Sequence, residues 1–241
     1  MPSKKILAIS SSRVGNSGYL ETVVPLIESF LGSKPTKIAF LPFASAESNY
    51  EEYAYRIKKA FNNLPYSIET VLPQNAKEII IKSNVLMCGG GNTFKLLHDI
   101  YELDIFETIR KKVNSGTPYI AWSAGANITG LTIGTTNDMP IIQPQTFNAL
   151  GFFPFQINPH YTSQKKKGFN GETRDERLKE FMIMNPGIAI VCLPEGAAIQ
   201  LSKNHLKFIG NEPGILFHQK DNSGSFLRET ISPTADLSFL L

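Results

Sequence analysis

The sequence predicts an α/β fold: a mostly parallel sheet of the flavodoxin-like type, with helices on both faces and antiparallel strands toward the C-terminal end. Two observations carry this prediction. Through the first two thirds of the chain, short apolar runs rich in β-branched residues alternate with longer helical patterns, as in parallel strands joined by helices. In the last third, short apolar runs are separated mainly by turn residues, which indicates antiparallel hairpins at a sheet edge.

Each predicted element follows from its own stretch of sequence. Strands are predicted in the first part at residues 6–9, 37–41, 68–72, 85–88 and 118–122. The helices expected between them cover about 19–31, 50–62, 76–82 and 93–115, the last with a break near Tyr101. Later strands are expected at 155–158, 188–193, 198–201, 205–209 and 215–217, and a helix over 174–184. No repeat or low-complexity linker interrupts this order, so residues 1–241 are predicted to form a single catalytic domain.

Composition and charge argue against several classes of function. The chain has 24 Lys and Arg and 21 Asp and Glu, a balance that does not favour a nucleic-acid partner. Its one basic cluster, residues 165–167, has no interleaved aromatics and is expected to be a solvated loop. No run of about 18 apolar residues occurs and no signal-peptide core is found, so we expect a cytoplasmic protein without a membrane partner. Cys88 and Cys192 are expected to be reduced, buried thiols.

The sharpest chemical signal surrounds Ser123. An apolar predicted strand runs directly into this serine, and its neighbours two positions away on either side, Ala121 and Gly125, are small. A helix is able to begin immediately afterwards. This is the strand–turn–helix setting of a nucleophile elbow, although the strict Gly-x-Ser-x-Gly pattern is met only loosely. The alternative is that Ser123 simply caps a helix.

Three consecutive glycines, residues 89–91, follow the strand predicted at 85–88. Bare backbone amides of this kind approach a substrate closely and can donate to the oxygen of a tetrahedral intermediate. The Lys and Ser/Thr of a P-loop are missing and the Rossmann spacing is not met, which disfavours a phosphate cradle. A plain turn with a helix cap at Asn92 or Thr93 is the alternative.

His160 is the preferred candidate for a general base among the four histidines, since it directly follows a predicted strand. A serine nucleophile needs such a base to take its proton, and the base needs a carboxylate that fixes its tautomer. Glu195 ends another apolar strand and is one candidate for this carboxylate. Asp138 is the competitor. Turn formation is the alternative role for both, and it is the stronger one for Asp138, which lies in a Thr-Asn-Asp-Met-Pro stretch.

Taken together, six stretches resemble the S51 family of serine peptidases, the family of the α-aspartyl dipeptidase peptidase E. They are residues 89–94, 122–127, 135–140, 157–160, 171–174 and 193–196, in this order. The resemblance extends from about residue 4 to about residue 210, and the tail from about residue 212 onward matches nothing. Six motifs in one order are far more specific than any one of them.

The resemblance implies hydrolysis of dipeptides with an N-terminal aspartate through an acyl-enzyme, on a sheet of the glutamine-amidotransferase type. Carried over by motif, Ser123 would be the nucleophile, His160 the general acid–base and Glu195 the orienting carboxylate. Family descriptions have also placed an aspartate matching Asp138 in the charge relay. We favour Glu195 as the partner of His160 and keep Asp138 as a further catalytic candidate.

The resemblance also implies an oxyanion hole and part of the substrate site. One oxyanion amide would come from Gly91 and the other from Ala124, the residue after the nucleophile. Asn92 is assigned to substrate binding, and neither a metal nor an organic cofactor is implied. Ala121 departs from the family pattern, in which glycine is common at this position, by one methyl group.

Arg174 is the candidate that would bind the side chain of the substrate's aspartate. Residues 173–176 have the sequence of a capping box, which places Arg174 in the first turn of a predicted helix. A cation is disfavoured there by the helix dipole, so a purely helix-stabilising role is disfavoured too. A guanidinium binds a carboxylate through two parallel hydrogen bonds. The alternative is an exposed surface arginine.

Two other interpretations stay open at the level of the sequence. A cyanophycinase-like hydrolase would use the same triad on aspartyl-linked polymers, although small substrates suit a chain of 241 residues with little insertion better. A flavodoxin-like, non-catalytic binding module would hold a phosphate at residues 10–12, after the first strand.

We expect small acidic dipeptides as partners and a monomer or homodimer, with residues 162–171 as a candidate lid.

Overall fold

The computed structural model describes residues 3–165, 168, 170–219 and 226–241. The strands are β1 (Ile6–Ile9), β2 (Thr36–Leu41), β3 (Tyr66–Thr70), β4 (Val85–Cys88), β5 (Tyr119–Trp122), β6 (Gln156–Asn158), β7 (Ile190–Cys192), β8 (Ala198–Ser202), β9 (His205–Ile209), β10 (Gly214–Gln219) and β11 (Phe226–Ile231). The α-helices are α1 (Val24–Leu31), α2 (Tyr50–Ala60), α3 (Ala76–Lys82), α4 (Thr93–Glu102), α5 (Phe106–Asn114), α6 (Ala124–Asn127) and α7 (Arg174–Met184). Parts of the predicted basic cluster at 165–167 and of the candidate lid at 162–171 lie outside the described residues.

The larger sheet has seven strands in the order β3-β2-β4-β5-β1-β8-β9. Its first five strands in this order are parallel, and β8 and β9 add an antiparallel edge. The residues of β1, β4 and β5 are buried throughout, as expected for strands covered on both faces. The predicted mostly parallel α/β sheet is confirmed.

Helices cover both faces of this sheet. Since alternate residues of a strand point to opposite sides, each strand contributes to the hydrophobic clusters on both faces. Ala8 and Ala121 belong to a cluster of buried residues that also contains Leu97 of α4. Ile9 and Trp122, their immediate neighbours in sequence, belong to the opposite cluster, which includes residues of α1 and α2. The site-bearing strands β1 and β5 are therefore held rigidly between two layers of helices.

The smaller sheet has the order β11-β10-β7-β6, and the sequence pattern did not predict it as a separate sheet. Of the strands expected as hairpins at one edge, only β8 and β9 extend the larger sheet. β7 instead pairs in parallel with β6 and antiparallel with β10. Helix α7 covers this sheet through a third cluster that includes Leu178, Met182 and Phe217. The periodicity of a segment indicates that a strand is buried but not which sheet it joins. The division of the later strands between two sheets could therefore not be predicted from it.

Helix boundaries differ from the expected ones for local reasons. The pattern over 93–115 forms two helices, α4 and α5, and Asp104 between them has a φ of 50°. The helix expected from residue 19 begins only at Val24, after Leu20 adopts a φ of 60°. Positive φ values of this kind do not fit an α-helix. No helix in the described ranges is both long and apolar enough to cross a membrane.

Candidate active site

Ser123 lies at the sharp turn between β5 and α6. Its φ of 55° and ψ of −118° form a conformation that residues other than glycine rarely adopt. The Ser123 N–H donates to the carbonyl of Ile9 at 3.0 Å, which continues the β1–β5 pairing into the turn. A Cβ at Gly125 would lie 2.6 Å from the carbonyl oxygen of Cys88, so the turn requires a glycine there. This is the strained geometry predicted for a nucleophile elbow.

The glycine-rich loop after β4 packs against this turn. A Cβ at Gly90 would come within 2.9 Å of the Cβ of Ser123. By contrast, Ala121 lies inside β5, opposite Ala8 and Cys88, with its methyl group in the core. The departure from the glycine common in the family is therefore accommodated by the sheet and leaves the turn itself intact.

His160 and Glu195 come from the smaller sheet. They follow β6 and β7, which are parallel neighbours with Asn158 paired to Cys192, so both strands end at the same edge. The imidazole Nε2 lies 2.9 Å from the Ser123 Oγ, and Nδ1 lies 3.2 Å from the Glu195 Oε1. A carboxylate only accepts hydrogen bonds, so this arrangement fits the neutral tautomer with the proton on Nδ1, in which Nε2 accepts from the serine hydroxyl.

Solvent reaches the imidazole–carboxylate pair. The side chains of His160 and Glu195 are 39% and 54% exposed. Water screens a charge pair at such exposure, so direct charge stabilisation is modest and fixing the ring orientation becomes the more important effect of the carboxylate.

Asp138 is not bonded to His160. Its Oδ2 accepts from the Thr93 N–H at 2.7 Å, from the Thr93 hydroxyl at 2.6 Å and from the Thr136 hydroxyl at 3.2 Å. Among the described residues, no donor contacts its other oxygen. Asp138 nevertheless lines the same cavity as Ser123 and His160. The structure thus places both acidic candidates near the serine and pairs only Glu195 with the imidazole.

The residues of the two predicted oxyanion amides, Gly91 and Ala124, each line a cavity that also includes Ser123. Gly91 has a φ of 141°, and a Cβ there would lie 2.2 Å from the carbonyl oxygen of Ala44, so only glycine fits. Within the part of the chain that the structure describes, the N–H groups of Gly91 and Ala124 have no hydrogen-bond acceptor. Helix α6 is a single turn of four residues, too short for a strong helix dipole. Ala124 would therefore act on a negative oxygen through its own N–H group alone.

Asn92 has a structural role in this conformation. It is the N-cap of α4, with its Oδ1 accepting from the Lys95 N–H at 3.0 Å. Its Nδ2 donates to the carbonyl of Met139 at 2.8 Å, next to Asp138. Both ends of the amide are therefore bonded within the protein, which matches the helix-cap alternative for this residue.

Two cavities meet at Ser123 and His160, which line both of them. The smaller, of about 230 Å³, also contains Asp138 and Arg174. The larger, of about 560 Å³, lies on the side of the glycine loop. Its polar lining includes Tyr19, Glu47, Glu52, Tyr53 and Arg56. A peptide bond at Ser123 would therefore have space for flanking residues in both cavities.

Arg174 is the first residue of α7 and lies within the predicted capping box of residues 173–176. The Thr173 hydroxyl accepts from the Glu176 N–H at 3.3 Å, and the Thr173 N–H donates to the Glu176 carboxylate at 2.6 Å. Arg174 is half-buried and, among the described residues, has no acceptor. Burial, and then the neighbouring charge of Arg177, lower the pKa of its guanidinium, but an arginine stays protonated in proteins. A half-buried cation without a partner favours binding of an anion.

Sequence reasoning missed several residues that hold the site together. Asn137 donates to the carbonyl of Pro159 at 2.8 Å, and Asn158 donates to Asn137 at 2.9 Å, which ties the Asp138 loop to the segment before His160. The motif stretches contained both asparagines, but nothing in their spacing indicated this contact. In the described ranges, no group of three or more His, Cys, Asp or Glu side chains could hold a metal ion.

Comparison with known proteins decides the family. The model of the peptidase family S51 matches residues 6–209, most of the chain and all of the residues discussed above as site candidates. The chain belongs to peptidase family S51. It is 41% identical over 240 residues to a protein named Peptidase E from Nostoc sp., covering 99% of this chain and 97% of that one. It is 43% identical to Peptidase E from Haemophilus influenzae, covering 92% and 96%.

A solved structure shares the fold of this S51 peptidase. The crystal structure of a peptidase from an acI-B1 Actinobacterium superposes with a TM-score of 0.66, at 15% identity, over 98% of this chain and 97% of that one. The family match and the two relatives confirm the predictions of a peptidase and of an enzyme. The alternative of a non-catalytic flavodoxin-like module is disfavoured by the membership of a peptidase family. Two of the three serines proposed to hold a phosphate, Ser10 and Ser11, also have their hydroxyls bonded within the protein.

Proposed function

We propose that this S51 peptidase is a cytoplasmic serine dipeptidase that hydrolyses dipeptides with an N-terminal aspartate. The observation that carries the proposal is the continuous contact from Ser123 through His160 to Glu195, with distances of 2.9 and 3.2 Å. These distances lie within or close to the range required for a nucleophile, its base and the group that orients the base. The charged residues that line the two cavities next to Ser123 support the choice of substrate class.

The proposed reaction begins with proton transfer. As the Ser123 Oγ attacks the scissile carbonyl, His160 Nε2 takes the hydroxyl proton, and the N–H groups of Gly91 and Ala124 donate to the negative oxygen that forms. The imidazolium then protonates the leaving amine, and the C–N bond breaks to leave an acyl-enzyme. Water, deprotonated by His160, then attacks the ester carbonyl; the bond to the Ser123 Oγ breaks, His160 returns the proton to that oxygen, and free aspartate is released. Glu195 keeps the proton-bearing Nδ1 in place throughout.

The smaller cavity suits an N-terminal aspartyl residue. Arg174 offers a cation for the side-chain carboxylate, and Asp138 offers an anion for the α-ammonium group. The three donors to one oxygen of Asp138 fix the orientation of its carboxylate, while the other oxygen is left for the substrate. A cavity of about 230 Å³ is below the usual range for drug-sized ligands of roughly 300–1,000 Å³, which favours a single residue over a longer chain.

The larger cavity suits the second residue of a dipeptide. Arg56 is the cation in its lining, and its guanidinium lies 4.0 Å from the Glu52 carboxylate, too far for a strong hydrogen bond. Among the described residues no acceptor forms a hydrogen bond with Arg56, so its donors can turn to the α-carboxylate that a dipeptide carries after its second residue. The carboxylates of Glu47 and Glu52 in the same lining would disfavour an acidic second residue.

A dipeptide panel with a varied first residue tests this function. The wild-type protein should hydrolyse Asp-Leu and leave Ala-Leu and Leu-Leu essentially uncut. Ser123→Ala should lose at least about 10³-fold in kcat on Asp-Leu, because no other group supplies the nucleophile, while its thermal unfolding stays close to the wild type. Wild-type turnover in Ser123→Ala would overturn the mechanism. Faster cleavage of β-linked aspartyl peptides would instead favour the cyanophycinase-like alternative.

A further inference from the structure

Three consecutive residues at the end of β1 each bond to a different part of the triad. The carbonyl of Ile9 accepts from the Ser123 N–H at 3.0 Å. The Ser10 hydroxyl accepts from the His160 N–H at 2.9 Å. The Ser11 hydroxyl accepts from the N–H of Gly196, the residue after Glu195, at 3.2 Å. The sequence separations of the two serine contacts are 150 and 185 residues, so they join distant parts of the chain.

Each of these serine hydroxyls also donates a hydrogen bond. Ser10 Oγ donates to the carbonyl of Leu193 at 2.8 Å, and Ser11 Oγ donates to the carbonyl of Arg13 at 2.7 Å. Ser10 is fully buried and Ser11 is 2% exposed. Donor and acceptor functions are thus both occupied, which fixes the hydroxyl orientation and leaves no free donor for a phosphate.

This arrangement links the two sheets. β1 and the nucleophile belong to the larger sheet, whereas the base and the acid follow strands of the smaller one. His160 also has a φ of 52°, a conformation that a non-glycine residue keeps only when its surroundings impose it. The hydroxyl of Ser10 bonds at this strained position and at Leu193, two residues before Glu195.

We propose that Ser10 and Ser11 are positioning residues of the triad. They act through the backbones of His160 and Gly196 and thereby set the distances from the imidazole to the Ser123 Oγ and to the Glu195 carboxylate. The proposal rests on the Ser–His–Glu mechanism above. A displacement of about 1 Å in such an assembly can lower the rate of the chemical step about 10²-fold without weakening substrate binding.

The test compares Ser10→Ala and Ser11→Ala by two measurements. On Asp-Leu, we expect kcat to fall roughly 10- to 100-fold in Ser10→Ala and about 3- to 10-fold in Ser11→Ala, with KM within about twofold of the wild type. The rate of covalent labelling by diisopropyl fluorophosphate should fall in parallel. In that reaction the Ser123 Oγ bonds to phosphorus as fluoride leaves and His160 takes the proton, so no dipeptide is involved.

Ser83→Ala is the matched control. Ser83 is a buried serine whose hydroxyl donates to the carbonyl of Ile80 at 2.9 Å, away from the site. It should lose thermal stability like the other variants and keep the wild-type kcat and labelling rate. If Ser10→Ala does not fold, Ser11→Ala carries the test.

Wild-type labelling rates in a folded variant would overturn the positioning role. A loss of kcat and labelling rate that equals the fraction of unfolded variant would also overturn it. A rise in KM at unchanged kcat would do the same. A wild-type protein that is labelled at Ser123 but does not cleave Asp-Leu would refute the proposed substrate alone.

Discussion

At the scale of single residues, the site combines strain with unpaired charge. Ser123 and His160 both hold positive φ values, of 55° and 52°, and each such position costs about 1–3 kcal/mol. Arg174 is half-buried without a partner among the described residues, which also costs free energy. The proposed function would explain the cost at Arg174, because a bound aspartyl group would satisfy the guanidinium.

Replacing Arg174 should remove selectivity for aspartate. In Arg174→Gln, kcat/KM on Asp-Leu should fall by the loss of a paired charge contact, about 2–5 kcal/mol or roughly 30- to several-thousand-fold. Activity on Asn-Leu, whose side chain carries no charge, should change much less. The control is Arg177→Gln, an exposed arginine one turn along α7 that lies 3.7 Å from Glu172. Equal losses on Asp-Leu and Asn-Leu would contradict the proposed contact.

Arg56 should distinguish a free carboxylate from an amide. In Arg56→Gln, the KM for Asp-Leu should rise about 5- to 30-fold, since a hydrogen bond to a charged group is worth about 1–2 kcal/mol at an exposed site. The KM for Asp-Leu amide, which has no terminal carboxylate, should stay at the wild-type value. Lys59→Gln, another exposed cation on α2, serves as the control. A matching rise for the amide would show that Arg56 acts in some other way.

At the scale of elements, the sequence predicted most of the framework that carries the site. The alternation of strands and helices predicted β1 to β5, and their ends predicted where Ser123 and the glycine loop would lie. The choice between Glu195 and Asp138 depended on the pairing of β6 with β7, which brings Glu195 rather than Asp138 to the imidazole. Strand register of this kind is a contact between distant segments, and periodicity within each segment carries no information about it.

Ser10 and Asn92 illustrate the same difference between contacts of distant segments and local contacts. From the sequence, Ser10 entered only as part of a possible phosphate site at residues 10–12, because its one signal was its place after a strand. Its contacts with His160 and Leu193 arise where the two sheets meet, and the second sheet was not predicted. Asn92 was more accessible to prediction, since an asparagine before a helix is a preferred N-cap whatever the tertiary structure.

At the scale of the whole molecule, the position of α7 and Arg174 depends on the C-terminal strands β10 and β11 of the smaller sheet. The family match ends at residue 209, before β10 and β11. Arg228 of β11 donates to the Asp175 carboxylate at 2.9 Å and to the Tyr161 hydroxyl at 3.2 Å, and that hydroxyl donates to Asp175 at 2.6 Å. Burial, with Asp175 beside it, raises the pKa of the Tyr161 phenol, so it stays a donor. Tyr161 follows His160, and Asp175 follows Arg174.

Breaking the contact among Arg228, Asp175 and Tyr161 should therefore affect substrate binding, although Arg228 lies beyond the residues that the family model matches. In Arg228→Met we expect KM for Asp-Leu to rise about 3- to 10-fold while kcat changes less than about threefold, because α7 and Arg174 become less fixed while the triad is unchanged. A loss of about 1 kcal/mol for such a partly exposed pair would lower Tm by roughly 2–4 °C. Arg110→Met, which breaks a similar ion pair with Glu107, is the control: it should lower Tm comparably and leave KM unchanged. Equal KM values in the two variants would mean that the hairpin stabilises the fold without orienting Arg174.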